Sequence, residues 1–204
     1  MSVSLLFRRV LVVLCLLFLV LLAFSLSAPR QVASQQDAVR TVMDDIASDP
    51  AVQGHKYLAS VFSSSLHDDG QWEVIVKLTL EPNSACPQAF IRTYQLLPIR
   101  HGVDKVITQD CKRSGSLAFA EEAILASVFY SEVSRAISQG ATSCAYQLPL
   151  ERVQVLEYCP GVDFSEISSF ASTLPIGSKW LVEWRAQGAD IVRLAFDSKA
   201  NRLA

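Results

Sequence analysis

Hydrophobic and polar positions follow three distinct patterns along this chain. From Val10 to Leu26 there is no alternation: seventeen residues carry no charge, and Ser25 is the one polar side chain among them. A helix rises about 1.5 Å per residue, so this run spans roughly 26 Å, close to the hydrocarbon core of a bilayer. Ser34 then stands as a helix N-cap, with Asp37 in the first turn. Val39, Val42, Met43 and Ile46 follow at i, i+3, i+4 and i+7, one apolar stripe. Asp49-Pro50 stops it, so the spacing predicts a helix over 35–48.

Strand periods come next. Tyr57–Leu66 is a candidate strand, and His67-Asp-Asp-Gly70 reads as a hairpin turn in which glycine supplies positive φ. Trp72, Val74, Val76, Leu78 and Leu80 alternate with Glu73, Lys77 and Thr79, the pattern of a half-buried strand. Ala89–Leu97 and Val103–Gln109 give two more strands around a turn at Pro98–Gly102. Leu117–Ser138 reads as one helix, with Glu121 and Glu122 in its first turn, Gly140 beyond its end, and Leu125, Phe129, Val133 and Ile137 on one side. Cys144–Leu148 and Val153–Tyr158 then suit a short hairpin around Pro149–Arg152. A short helix near 163–173 follows, and strands over Lys179–Ala186 and Asp190–Phe196 meet at Gln187-Gly188.

The sum is an α+β chain with antiparallel sheets. It divides into a membrane anchor or signal segment (1–29), a helix with a four-stranded sheet (30–113), and a helix with antiparallel hairpins (114–204). A helix on an antiparallel sheet, present twice, resembles the cystatin-like and PepSY-type modules found outside cells. The closing strand Ile191-Val-Arg-Leu-Ala-Phe-Asp197 is the nearest local echo. The likeness is one of element order, so no functional residue is carried over from it.

Charge fixes the topology. Arg8 and Arg9 precede the apolar run, which by the positive-inside rule keeps the N-terminus in the cytoplasm and sends the body outside. The run is longer than an ordinary signal core, and Pro29 would obstruct cleavage after Ser27-Ala28, so the segment reads as an uncleaved single span. Secretion after cleavage near Ala28 is the alternative. The Arg pair also fits twin-arginine export, but so hydrophobic a run suits ordinary insertion better. The exported body holds 16 basic and 20 acidic residues with no basic cluster, which disfavours nucleic acid and anionic lipid as ligands.

Four cysteines lie in the body: Cys86, Cys111, Cys144 and Cys159. Their spacings of 25, 33 and 15 lack the short pairs of a zinc site or a thioredoxin-type motif. An even number outside the cytosol points to two disulfides with three possible pairings. Cross-strand partners in a hairpin share one index sum. Positions 86 and 111 centre on 98.5, at the Pro98 turn, and 144 and 159 centre on 151.5, in the Pro149–Arg152 turn. The expected bridges are therefore 86–111 and 144–159.

Candidate chemistry is thin. His67 with Asp68 and Asp69 is the one His–carboxylate cluster, and it reads better as a solvated turn. His55 and His101 are isolated. Glu121 and Glu122 are adjacent, so they diverge on a helix and serve its dipole rather than a carboxylate pair. Trp180 and Trp184 share a strand face, where core packing outweighs ligand stacking. No G-x-S-x-G elbow occurs. The expectation is a membrane-tethered, non-catalytic module without cofactor or metal that binds a protein partner or an envelope assembly. A protease inhibitor or inhibitory pro-module is the second reading, and an enzyme whose groups converge only in the fold is the third.

Overall fold

The computed structural model describes residues 32–112, 115–148, 159, 162–188 and 190–203, together with Phe18. The apolar run apart from Phe18, with Arg8 and Arg9, and the expected turn and strand over 149–158, lie outside the described residues. Among those described, no helix is long and apolar enough to cross a membrane. The chain divides into Met1–Ala33 and Ser34–Ala204, and both sheets belong to the second unit.

That unit is α+β with antiparallel sheets. Helix α1 (Gln35–Ser48) starts where the pattern places it. The Ser34 hydroxyl accepts from the Asp37 amide at 3.2 Å and donates to the Asp37 carboxylate at 2.7 Å. Strands β1 (Tyr57–Leu66), β2 (Trp72–Leu80) and β3 (Gln88–Gln95) form an antiparallel meander. Two short strands, β4 (Arg100–His101) and β5 (Lys105–Thr108), both pair with β3. The expected strand over 103–109 thus shortens, and part of the expected turn at 98–102 is itself paired. Helix α1 packs on β1 and β2. Of the predicted stripe, Val42 and Ile46 are fully buried while Val39 and Met43 are half-buried, and Ala38, outside that stripe, is fully buried with Val74, Val76 and Leu78.

Arg92 pins this half. Its guanidinium donates to Asp49 at the end of α1 and to both Asp104 oxygens before β5, at 2.5, 2.8 and 2.8 Å. It also stacks on the Phe90 ring at 5.4 Å.

The second sheet has the order β6 (Thr142–Gln147), β7 (Trp180–Arg185), β8 (Val192–Phe196). The β7–β8 register is centred on Gly188, the expected hairpin. The single helix expected over 117–138 is two, α2 (Ala120–Ser127) and α3 (Ser131–Ser138). The run Val128-Phe-Tyr130 is β-branched and aromatic, a poor helix former. Tyr130 turns extended there, with its ring 6.0 Å from Phe196. Ser127 turns its hydroxyl back to the Ile124 carbonyl at 2.6 Å and accepts from Trp184 Nε1 at 2.9 Å. The break puts Phe129 in solvent instead of on the stripe with Leu125. Trp180 and Trp184 lie in the core formed with Ile124, Val133 and Phe196. A short helix, α4 (Phe164–Ala171), is capped by Asp163.

Both expected disulfides are present, Cys86–Cys111 with Cα atoms 5.1 Å apart and Cys144–Cys159 with Cα atoms 5.8 Å apart. The first continues the β3–β5 ladder: Ala89 faces Thr108, and three residues outward on each strand stand the two cysteines. Two disulfides place the body in an oxidising setting.

Candidate functional site

Among the described residues, strand β1 is the outer edge of the first sheet, hydrogen-bonded to β2 alone. Its ten residues, Tyr-Leu-Ala-Ser-Val-Phe-Ser-Ser-Ser-Leu, carry no charge, and none of them is buried. Tyr57, Val61, Phe62 and Leu66 are exposed large hydrophobics, Phe62 and Leu66 more than half so. The register slips between Val61 and Ser63, which makes Phe62 the extra residue of a β-bulge. Its ring stacks on Phe119 at 6.2 Å. Edge strands are ordinarily blunted by lysine, proline or a covering element, because their free N–H and C=O groups recruit other strands. Here the charges stand just outside the strand: Lys56 at one end, and Asp68 and Asp69 in the turn at the other, all exposed.

The sequence-predicted residues do not assemble around this edge. His67–Gly70 is a solvent-exposed turn, held by the Gly70 amide on the His67 carbonyl at 2.9 Å and the Gln71 amide on Asp69 at 3.0 Å. His67 lies 3.8 Å from Glu73 and His55 3.5 Å from Glu81. His101 meets the Tyr94 ring edge-on at 5.4 Å. Among the described residues, no group of three or more His, Cys, Asp or Glu is placed to hold a metal ion. The two tryptophans are core residues with their Nε1 donors satisfied, Trp180 on the Leu117 carbonyl at 3.0 Å and Trp184 on Ser127.

Two ionic clusters were not legible in the sequence. Glu121 does more than serve the dipole of α2: its carboxylate accepts from Lys77 and Thr79 of β2, inside the protein. Glu122 reaches back to the Ala118 and Phe119 amides at 2.7 and 3.0 Å and caps α2. In the second sheet, Glu183 is fully buried and accepts from Arg185 Nε and from Arg193 Nε, the latter at 2.7 Å. Arg193 also donates to Glu166 of α4 and lies 4.8 Å over the Phe170 ring. The hydrogen bond to Glu183 raises the Arg185 pKa further above the arginine range. Tyr146, buried on the neighbouring strand, is pushed up to about 12, first by burial and then by the Glu183 charge. The two guanidiniums neutralise Glu183 and Glu166 and fasten α4 to the sheet.

Family models, curated proteins and solved structures yield no match to this chain.

A cleft of about 430 Å³ lies between the Glu81–Ser84 turn and the β6–β7 pair, with Lys56, Glu81 and Arg185 among its walls. Its charges are mixed and Arg185 is already engaged with Glu183. The β1 edge, with free strand geometry, apolar side chains and no charge, is the feature best suited to holding another molecule.

Proposed function

We propose that the protein is a membrane-tethered, extracytoplasmic interaction module that binds a protein chain along the outer edge of β1. The observation that carries this reading is the edge itself: ten residues in strand conformation, uncharged and unburied, and paired on one side only among the described residues. A protein strand laid along such an edge gains main-chain hydrogen bonds, and its side chains gain the apolar contacts of Tyr57, Val61 and Leu66.

The tether is the uncharged run from Val10 to Leu26. Arg8 and Arg9 hold the N-terminus in the cytoplasm, and the body with its two disulfides lies beyond the membrane. Helix α1 on the β1–β3 meander supports the cystatin-like reading of the first half. The inhibitor reading rests on that element order alone.

The test is site-specific photocrosslinking of the full chain in intact membranes. A photoreactive residue at Val61 is expected to give a discrete protein adduct, whereas the same residue at exposed Ile176 gives none. Absence of any adduct from Val61, Ser63 and Leu66 overturns the assignment of the edge. Labelling that finds the C-terminal half in the cytoplasm with four free thiols overturns the topology.

A further inference from the structure

We infer that the chain completing β1 is a second copy of this protein, its β1 running antiparallel to the first about a two-fold axis between Val61 and Phe62. This rests on the reading of β1 as a binding edge and adds the identity of the occupant.

Charge is the first argument. Between Tyr57 and Leu66 two copies meet without any like-charge pair. Just outside, Lys56 stands at one end and Asp68 and Asp69 at the other, all three exposed. Antiparallel self-pairing brings each Lys56 beside the acidic turn of the other copy. Parallel pairing sets lysine on lysine and aspartate on aspartate, which repel.

The bulge is the second argument: it restricts the axis to a position between two residues, and pairing over the full length Tyr57–Leu66 then centres it between Val61 and Phe62. In a regular strand, residues whose indices differ by an odd number point to opposite faces. A two-fold axis perpendicular to a sheet keeps faces matched, so a regular strand pairs with itself only about a residue, never between two. Strand β1 is not regular. Tyr57 and Ala59 stand opposite Leu80 and Leu78 of β2, while beyond the slip Ser64 and Leu66 stand opposite Val74 and Trp72. All four partners are even-numbered positions of one strand, so Tyr57, Ala59, Ser64 and Leu66 share a face. The bulge at Phe62 has reversed the parity half-way along. An axis between Val61 and Phe62 then sets Tyr57 against Leu66, Leu58 against Ser65, Ala59 against Ser64, and Ser60 against Ser63, each pair on a common face. The exposed Tyr57 and Leu66 cover one another at both ends. An axis through a single residue mismatches every one of these pairs. The contact is isologous and closes at two copies, with one sheet continuous through both.

The experiment uses the full chain in dodecyl maltoside. Sedimentation or light scattering at tens of micromolar is expected to give a dimer. The variant Val61→Lys, with like charges at the axis, is expected to weaken it at least about tenfold while its circular dichroism spectrum matches the parent. For the register, chains carrying Ser60→Cys are co-expressed with chains carrying Ser63→Cys. A disulfide-linked dimer is expected from the mixture and not from either variant alone, because only 60 against 63 comes within bridging distance. A monomer at these concentrations overturns the inference, as does a dimer whose mixed cysteines fail to join. A monomer that still yields a Val61 photoadduct with another protein overturns the self-pairing and leaves the edge assignment standing. Loss of both readouts removes the two together.

Discussion

The Lys77 ammonium lies 2.8 Å from Glu121 Oε1, joining the first sheet to helix α2 across 44 residues of sequence. Both residues are buried, Glu121 completely, and the same oxygen accepts from the Thr79 hydroxyl at 2.6 Å. The Phe119 ring lies 5.7 Å from the ammonium. A buried ion pair returns little net stability, because desolvating two charges cancels most of their attraction. Removing one partner, however, strands the other in a low dielectric.

Glu121→Gln is therefore expected to destabilise the protein by about 3–5 kcal/mol. The paired replacement Lys77→Met with Glu121→Leu recovers most of that loss, since no charge is left uncompensated. Urea denaturation of Lys77→Met, Glu121→Leu and the double variant checks this. A double variant as unstable as the sum of the singles contradicts the coupling.

The acid side of the stability curve turns on Arg92. Its hydrogen bond to Asp49, helped by the Ala51 amide, holds the Asp49 carboxyl below the ordinary aspartate range. A lowered folded-state pKa contributes stability that is complete above the unfolded value near 3.9 and is lost as pH falls through the folded value. The chain is expected to lose stability below about pH 4, and Asp49→Asn to flatten that loss. Arg92→Met leaves Asp49 and Asp104 without their counter-charge and is expected to cost about 3 kcal/mol at neutral pH. Denaturation midpoints from pH 2 to 7 for the three proteins make the comparison.

Much of this fold could be read from spacing, and what could not has a common cause. The bounds of α1 follow from Ser34, a 3.6-residue stripe and Asp49-Pro50. The β1–β2 and β7–β8 hairpins follow from alternation around Asp69-Gly70 and Gln187-Gly188. Each is local, settled within one helix or one hairpin. The 86–111 bridge was legible because a hairpin turns a distance in sequence into a constant sum. The break at Val128–Tyr130 was only half legible: the β-branched and aromatic run is a weak local signal, and the contact that adds to it, Tyr130 reaching Phe196, is tertiary. Likewise Glu121 showed its helix position but not Lys77. The β1 segment could be read as a strand, yet its place at the edge depends on strand order, which no local pattern encodes.

Tyr146 offers a test in which removing a polar atom should help. Its side chain is 1% exposed, between Cys144 and Leu148 in the small core beneath α4. Its hydroxyl finds no hydrogen-bond partner among the described residues. A buried hydroxyl without a partner costs about 1–3 kcal/mol of lost hydration, so Tyr146→Phe is expected to raise stability at pH 7 by about 1 kcal/mol. The pKa adds a second signature. Burial, reinforced by Glu183, pushes this phenol up to about 12, against an unfolded value near 10. A raised folded-state pKa means that the unfolded chain releases its proton first. The stability tied to Tyr146 is therefore constant below pH 10 and lost as pH climbs toward 12. Urea midpoints of the parent should fall across that window more steeply than those of Tyr146→Phe. Parallel slopes for the two proteins, or a phenylalanine variant less stable at neutral pH, would show that the hydroxyl is satisfied after all.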